Sequence, residues 1–385
     1  MFNFNLLKEI EIELTDKCQA SCPMCLRNYH GGEENPSIKN TEWSLSDFKQ
    51  IFSREVLDQI SKVHICGSLG EPLMAKDFTQ MMLHLKENGN VSLTISTNAS
   101  LRTTSWWKEL PKYLPPNHCI SFAIDGFEDT HSIHRRGTDW KKIIENARAF
   151  ISAGGIAEAK FIKFKHNEHQ RDSLKTFLID EIGFNSFYEV ISERFIQSTF
   201  PVLDKNKNYQ YDLEPPSDDE IFSDDLFPHY TDYVVNNSSE INCKTIASKK
   251  VYIDAYKDLY PCCWTAAILY NNTPQLNTPN FNKSKEKILE EFLDLNKKIQ
   301  SSVSTNVLVN SIKNIIDNKE YQNFWTESWK FKKMTVCSLL CGSANDHVEH
   351  YLKDIGRLFD KGMSAAQVHQ SREHVIEFVG KKKLS

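Results

Sequence analysis

Glu9-Ile10-Glu11-Ile12-Glu13-Leu14 alternates acidic and apolar residues strictly, and directly after Thr15-Asp16-Lys17 comes Cys18-x3-Cys22-x2-Cys25. Alternation with period two is the signature of a strand with two unlike faces. The thiols therefore fall in the loop at the strand's C-terminal end. A loop lets three side chains turn inward, so three thiolates within eight residues can share one metal centre. An iron–sulfur cluster, a zinc site completed by His30, and unrelated buried thiols remain open on this motif alone.

The pattern continues outward from that strand. Further β-rich runs lie at 62–66, 91–96, 119–124, 159–165 and 187–191. Helical patterns separate them at 45–60, 77–88, 103–110, 139–153 and 172–182. In the fourth of these, Trp140, Ile143, Ile144, Ala147, Phe150 and Ile151 recur at helical spacing, and Gly154–Gly155 closes it. Strand alternating with helix six times over about 200 residues predicts βα units on a parallel sheet. An open doubly wound sheet and an incomplete barrel both fit, and in both the chemistry gathers beyond the C-terminal strand ends.

The remaining loops at those ends carry polar and glycine-rich groups. The second strand runs into Gly67-Ser68-Leu69-Gly70-Glu71-Pro72, the third ends at Ser96-Thr97-Asn98, and the fourth at Asp125–Gly126, followed by His134-Arg135-Arg136-Gly137. Bare glycine backbone can approach a ligand closely. The fifth strand is followed by Lys163, Lys165, His166, His169 and Gln170, and the sixth by Glu193 and Arg194, candidates for a substrate-facing wall.

The chain of 385 residues has 40% apolar and 25% charged residues, ordinary for a globular protein, and a net charge of −5. That balance argues against phosphate tracking and hence against nucleic acid as partner. The basic run 381–383 reads as a solvated tail. No apolar stretch has the length of a membrane span or the layout of a secretion signal. Ten cysteines in so long a chain read as metal or catalytic chemistry in a reducing cytoplasm rather than a disulfide scaffold. Cys66 and Cys119 lie within strands and read as small core residues.

Taken together, the three-cysteine loop, Gly70-Glu71-Pro72, Ser96-Thr97-Asn98 and Ile124-Asp125-Gly126 with Arg136–Gly137 resemble the radical S-adenosylmethionine (radical SAM) enzymes over residues 8–200. The resemblance implies a partial (β/α)6 TIM-like barrel. It implies a [4Fe–4S] cluster on Cys18, Cys22 and Cys25 with one iron left for the amine and carboxylate of S-adenosylmethionine, an open position typical of catalytic centres. Reductive cleavage would give a 5′-deoxyadenosyl radical that takes a hydrogen from substrate. Backbone near Gly70 and the Glu71 side chain would receive the methionine amine. Ser96 and Asn98 would lie along ribose or carboxylate, and Arg136 would pair with the carboxylate. Met24 stands where many members carry an aromatic residue against adenine, and Ala123 where many carry Ser.

Cys243, eighteen intervening residues, Cys262, a long helical gap with helices expected at 285–300 and 309–325, then Cys337-x3-Cys341–Gly342 resembles the C-terminal twitch extension, a shorter relative of the SPASM domain. It implies a small α+β cysteine-rich unit with one auxiliary [4Fe–4S] cluster on Cys243, Cys262, Cys337 and Cys341. Cys263 is an alternative to Cys262, and a four-cysteine zinc site an alternative to the cluster. Lys257 stands where the family usually has glycine, so a different turn is expected. Phe324-Trp325-x3-Trp329 reads as packing between domains.

The expected organisation is a barrel at 1–200, a linker at 201–240, a twitch-like unit at 241–345 and a helical tail at 346–385. The expected activity is oxidation or bond formation on a peptide or small molecule, with a flavodoxin- or ferredoxin-type electron donor. The first strand begins near residue 8, which leaves no room before it for a leader-peptide-binding domain. The rival from another class is a non-catalytic binding module organised by zinc or clusters.

Overall fold

The computed structural model describes residues 2–192, 199–217, 240–270, 303–330 and positions 297, 301, 337, 338 and 341. Glu193, Arg194, Gly342, the tail 346–385 with the basic run 381–383, and the expected helix 285–300 apart from Lys297 lie outside the described residues.

Six strands alternate with helices as the period-two runs predict: β1 (Glu9–Ile12), β2 (Lys62–Ile65), β3 (Ser92–Thr97), β4 (His118–Ala123), β5 (Ala157–Lys163) and β6 (Ser186–Ile191). All pair in parallel in sequential order. β5 starts two residues before the expected 159, because Ala157 already pairs with Ile120 of β4. Two later strands, β9 (Lys250–Ile253) and β10 (Leu259–Tyr260), extend the same sheet beyond β1. β9 runs parallel to β1 in the register Glu9↔Lys250 to Ile12↔Ile253, and β10 returns antiparallel. The result is an eight-stranded, mostly parallel sheet curved as a partial (β/α)6 barrel, with a second, two-stranded sheet beside it.

The two faces of each strand separate by chemistry. Ile10, Ile12, Val63, Ile65, Leu93, Ile95, Ile120 and Phe122 are fully buried under the helices. The opposite face carries Glu9, Glu11, Lys62, His64, Ser92, Thr94 and Ser96. Ion pairs satisfy the charges there: Lys62 Nζ with Glu9 Oε2 at 3.4 Å and Lys250 Nζ with Glu11 Oε2 at 2.7 Å. An ordinary TIM barrel fills its bore with branched apolar layers. This bore is polar, and the polarity leads up to the strand ends where the cysteine loop lies.

Local sequence explains the helix ends. Ser44 and Asp47 form a reciprocal capping box for Leu45–Ile51, and Asp139 caps Trp140–Ser152 by accepting from Lys142 N. The helix expected over 45–60 breaks at Phe52–Ser53 and restarts as Arg54–Gln59. Pro111 ends Thr104–Glu109 in a 3-10 turn, Leu110–Lys112.

The stretch expected as a linker from 201 departs from that reading. Phe200–Leu203 (β7) and Tyr209–Leu213 (β8) pair as a hairpin. Asp204 closes it by accepting at Oδ1 from Asn206 N and Asn208 N, so its Asp- and Asn-rich composition is turn chemistry. Phe200, Val202 and Leu213 pack with Met24 and Phe164, which fixes the hairpin against the cysteine loop. Residues 218–239 lie outside the description.

The expected helix at 309–325 is two helices, Ile312–Ile316 and Lys319–Lys330. Tyr321 and Trp325 are buried in the same core as Phe2 and Phe4, and Phe4 N donates to Asp317 Oδ1 at 2.8 Å. Among the described residues no helix is long and apolar enough to cross a membrane.

Candidate functional site

At the C-terminal ends of β1 to β6 a cavity of about 400 Å³ opens, lined on one side by Cys18, Cys22, Cys25 and Met24. Gly67–Glu71 and Ser96–Asn98 form a second side of it, and Ser121, Lys160, Ile162, Val190, Ser192 and Trp264 face them. The three thiols found in sequence thus share one chamber with the polar loops of the next two strands.

The cysteine loop is held from several directions. Asp16, fully buried, accepts from Lys39 N at 2.8 Å and Thr41 N at 2.6 Å, and Tyr256 OH donates to it at 2.8 Å. Ser21 N donates to Arg136 O, and Cys25 N to Cys22 O. Burial and neighbouring Glu71 push the Cys18 thiol far up. Burial raises Cys22 to about 11, against the pull of Arg135. Such thiols stay protonated at neutral pH unless a metal centre takes the proton's place. Among the described residues no three His, Cys, Asp or Glu groups converge as one bound ion requires. His30, the candidate zinc partner, does not line the cavity: its Nδ1 lies 2.7 Å from Pro201 O and its ring stacks on Phe200.

The glycine turn fits closely against this loop. A Cβ at Gly70 would stand 1.9 Å from Thr15 O, and one at Gly67 2.8 Å from Gly70 O, so both positions need bare backbone. Glu71, expected to receive an amine, lines the cavity and is held between the two loops. It is 2% exposed; Oε1 accepts from Thr97 Oγ1 at 2.6 Å and Leu73 N at 3.2 Å, and Oε2 from Asn98 N at 2.7 Å. Burial outweighs these bonds and raises it to about 7. Glu71 is a strut tying the β2 loop to the β3 loop. Asn98 Oδ1 accepts from Gln19 Nε2 at 2.8 Å, and its Nδ2 approaches Cys18 Sγ at 3.9 Å. Ser96 Oγ lies 3.2 Å from His64 Nε2.

Arg136, expected to pair with a carboxylate, is not among the residues that line the cavity. Its Nη1 donates to Leu203 O at 2.8 Å, so the side chain secures the β7–β8 hairpin and is turned away from the cavity. The guanidinium in the cavity wall belongs to Arg135, which sequence reading passed over. Adjacent residues at a helix end point in different directions, and nothing in the motif says which faces inward. Lys160 and Ser121 were also missed, although they stand in the inward phase of β5 and β4. Of the expected wall after β5, Lys165 pairs with Glu214 at 2.5 Å and Lys163 with Glu189 at 3.9 Å. Gln170 Oε1 accepts from Thr130 Oγ1 and Phe127 N. None of these three lines the thiol cavity. Met24 is buried between the cavity and the hairpin, and Ser192 Oγ donates to its sulfur at 3.5 Å.

The later cysteines form a second neighbourhood. The Cys262 thiol feels Cys243; Cys337 feels Cys262, Cys243 and Cys341; Cys341 feels Cys243. Burial raises the Cys262, Cys337 and Cys341 thiols. Asn242 N donates to Cys341 O at 2.7 Å, which brings the two ends of the unit together. Cys263 has Glu11, Cys262, Lys250 and Glu13 as its charged neighbours, and it stands near Cys66. Lys257 adopts φ of +70°, in the left-handed region that favours glycine. All ten cysteines are free thiols.

Residues 12–166 match the sequence model of the Radical SAM superfamily. Over 104 residues the chain is 29% identical to the tungsten-containing aldehyde ferredoxin oxidoreductase cofactor-modifying protein of Pyrococcus furiosus, covering 27% of each protein. Over 176 residues it is 24% identical to a probable GTP 3',8-cyclase of Sulfurisphaera tokodaii, covering 45% of this chain and 53% of that one. The chain thus spans between about a quarter and about half the length of these relatives. The crystal structure of Streptococcus suis SuiB superposes with a TM-score of 0.53 at 16% identity, over 85% of this chain and 72% of that one. SuiB bound to its precursor peptide SuiA gives 0.51 at the same identity, over 85% and 70%. At that identity the likeness is one of fold. The thiol loop, the glycine turn and the Ser-Thr-Asn strand end all fall within the segment that matches the Radical SAM superfamily model.

Proposed function

We propose that the chain is a radical SAM enzyme that reductively cleaves S-adenosylmethionine and goes on to oxidise, or form a bond on, a peptide or small-molecule substrate. The observation that carries this reading is the single chamber shared by Cys18, Cys22, Cys25, the Gly67–Glu71 turn and Ser96–Asn98. Cys18, Cys22 and Cys25 would hold a [4Fe–4S] cluster, which when bound would supply the electron for reductive cleavage of the sulfonium bond. The chain's own residues do the rest. Gly67 and Gly70 bring backbone up to the ligand, Glu71 locks the two loops at fixed spacing, Asn98 offers its amide beside Cys18, and Ser96 adds a hydroxyl to the lining. Ser121, Lys160, Ser192 and Trp264 form the facing wall, where a substrate would meet one cation, two hydroxyls and an indole 41% exposed. Enclosure on both sides excludes water from a reactive species.

The mutual influence of Cys243, Cys262, Cys337 and Cys341 supports their reading as ligands of one auxiliary [4Fe–4S] cluster in a twitch-like unit spanning 241–345. Cys262 feels Cys243 and is felt by Cys337, which supports it over the adjacent Cys263 as the ligand. Four filled positions leave no vacancy for substrate, so this centre suits an electron acceptor or a structural brace. That SuiB holds a precursor peptide is compatible with a peptide substrate here. A cytoplasmic setting with a flavodoxin or ferredoxin as donor completes the reading.

Anaerobic reconstitution tests it. We expect roughly eight iron and eight sulfide per chain and a broad absorbance near about 400 nm, as two cubane clusters give. Replacing Cys18, Cys22 and Cys25 together by Ala should remove about half the iron and all cleavage of S-adenosylmethionine. Stoichiometric zinc in a colourless protein, or cleavage that survives the triple substitution, sinks the proposal in favour of a binding module.

A further inference from the structure

Tyr256 lies in the turn between β9 and β10, beside the second group of cysteines, yet its hydroxyl reaches the root of the three-cysteine loop. It donates to Asp16 Oδ2 at 2.8 Å and stands 3.1 Å from Ser37 O. Asp16 is fully buried, and its other donors are Lys39 N at 2.8 Å on Oδ2 and Thr41 N at 2.6 Å on Oδ1. One side chain thus gathers three donors, two from the segment that returns along the loop and one from a turn 240 residues on. That turn is itself fixed. Asp254 Oδ1 accepts from Tyr256 N at 2.9 Å, Asn306 Nδ2 donates to Tyr256 O at 3.0 Å, and Trp43 Nε1 donates to Ala255 O at 3.2 Å. Lys39 Nζ sits 4.1 Å over the Tyr256 ring, a cation–π contact that holds the phenol from its face.

The backbone around Asp16 carries both walls of the thiol chamber. Cys18 follows two residues on, and Glu71 N donates to Lys17 O at 2.8 Å. A Cβ on Gly70 would stand 1.9 Å from Thr15 O and 3.0 Å from Asp16 Cα, so the glycine turn lies directly on Thr15–Asp16. The seam where the thiol loop meets the glycine turn therefore runs through Asp16. Packing this close leaves no slack, and a shift at Asp16 moves Cys18 and Gly70 against each other. Hydrogen bonds to a carboxylate are among the stronger ones, and groups behind a site's ligands set how precisely those ligands are held.

We propose that Tyr256 is a positioning residue for the first centre. From the second unit it holds Asp16, and through Asp16 it sets the spacing between Cys18 and the Gly70–Glu71 turn. Tyr256 does not line the chamber itself. The first site is thereby completed by a residue outside the barrel. The inference rests on the reading of Cys18, Cys22 and Cys25 as ligands of a cluster that receives S-adenosylmethionine.

The test uses the full chain, reconstituted anaerobically, with S-adenosylmethionine as the probe. The readout is the concentration of S-adenosylmethionine that half-converts the electron paramagnetic resonance signal of the reduced protein. Iron per chain and the thermal unfolding midpoint are measured alongside. Tyr256→Phe removes one hydroxyl and keeps the ring. We expect the half-converting concentration to rise about five- to tenfold, the order that one lost hydrogen bond to a charged group brings. Iron content should be kept. Asp16→Asn, alone and with Tyr256→Phe, completes a double-mutant cycle. The double variant should bind no more weakly than Asp16→Asn alone, whereas additive effects overturn the route through Asp16. Loss of the signal that S-adenosylmethionine perturbs, with the other signal retained, supports the same role. An unmoved half-converting concentration in loaded Tyr256→Phe overturns it. So does a parallel loss of iron at both centres with a lowered unfolding midpoint, which marks a structural contact only. A wild-type chain that takes up no iron at the three cysteines, or whose signal S-adenosylmethionine leaves unchanged, overturns the reading of that centre, and the positioning role with it.

Discussion

Glu13 follows β1, 0% exposed, with its Oε1 accepting from Leu69 N at 2.8 Å. Burial raises its carboxyl from 4.5 to about 8, against hydrogen bonds from Leu69 and Ser68 that pull it down. The group is therefore largely neutral at pH 7 in the folded chain and ionised in the unfolded one. Between pH 4.5 and about 8 the unfolded chain has lost a proton that the folded chain keeps, so stability falls as pH rises through that window. The slope approaches about 1.4 kcal/mol per unit at most. Glu13→Gln keeps an acceptor for Leu69 and removes the titration. Urea unfolding at pH 5 and pH 8 should show the wild type losing about 2–4 kcal/mol relative to the variant across that interval. Equal slopes in the two proteins would mean that Glu13 is ionised in the fold. Gly70 gives a second expectation of the same scale. Its Cβ would stand 1.9 Å from Thr15 O, so Gly70→Ala must displace the turn or the cysteine loop. We expect iron loading at the first centre to fall severalfold, measured as iron per chain. How much was legible here depended on the kind of information. Cys18, Cys22, Cys25 and Gly70 are set by spacing, which a sequence displays. Whether Arg135 or Arg136 faces the chamber depends on the last turn of a helix and on a hairpin about 67 residues away that occupies Arg136, and no motif encodes that.

At the scale of elements, the turn between β9 and β10 places a lysine in left-handed backbone. Asp254 Oδ1 accepts from Tyr256 N and Asp258 N at 2.9 Å each, and Lys257 N donates to Asp254 O. These bonds hold φ at +70°, and Lys257 Nζ reaches Asp47 Oδ2 at 3.2 Å. Glycine would relieve the backbone and lose that pair, and it would also gain entropy in the unfolded chain. Lys257→Gly should thus change stability by less than about 1 kcal/mol, whereas Lys257→Val, β-branched in the same conformation, should cost about 1–3 kcal/mol. Thermal unfolding of both variants decides it; a valine as stable as the glycine would show that the turn adapts. Strand phase was legible throughout β1 to β5, because one face meets helices and the other a polar bore. The β7–β8 hairpin was not. Its buried residues, Phe200, Val202 and Leu213, are few and interrupted by Pro201 and the Asp204–Asn208 turn, so the apolar pattern is too short to outweigh loop composition.

Across the whole molecule, the sheet brings residues near 250 back beside the first strand. β1 lies between β2 and β9, so the strand that launches the cysteine loop is hydrogen-bonded on one side by residues near 62 and on the other by residues near 250. Eleven residues past the end of β9, Trp264 lines the thiol chamber, while Cys262 stands with the second group of cysteines. Two residues of extended chain span no more than about 7 Å, so the second cysteine group and the chamber lie side by side. Sequence periodicity could not reveal this, because a parallel partner some 240 residues away leaves no local trace. It follows that damage to β9 should reach both centres, whereas removal of the second group's ligands should not. Ile253 is 0% exposed and pairs with Ile12. Ile253→Asp buries a charge there and should cost at least about 3 kcal/mol. It should also lower iron at both sites and slow cleavage of S-adenosylmethionine. Cys243→Ser with Cys337→Ser should remove about half the iron, with cleavage retained. The two variants are compared by iron per chain, urea unfolding and cleavage in the same buffer. If Ile253→Asp loses only the second half of the iron and cleaves at the wild-type rate, β9 is a passive neighbour of β1, and the first centre stands on the barrel alone.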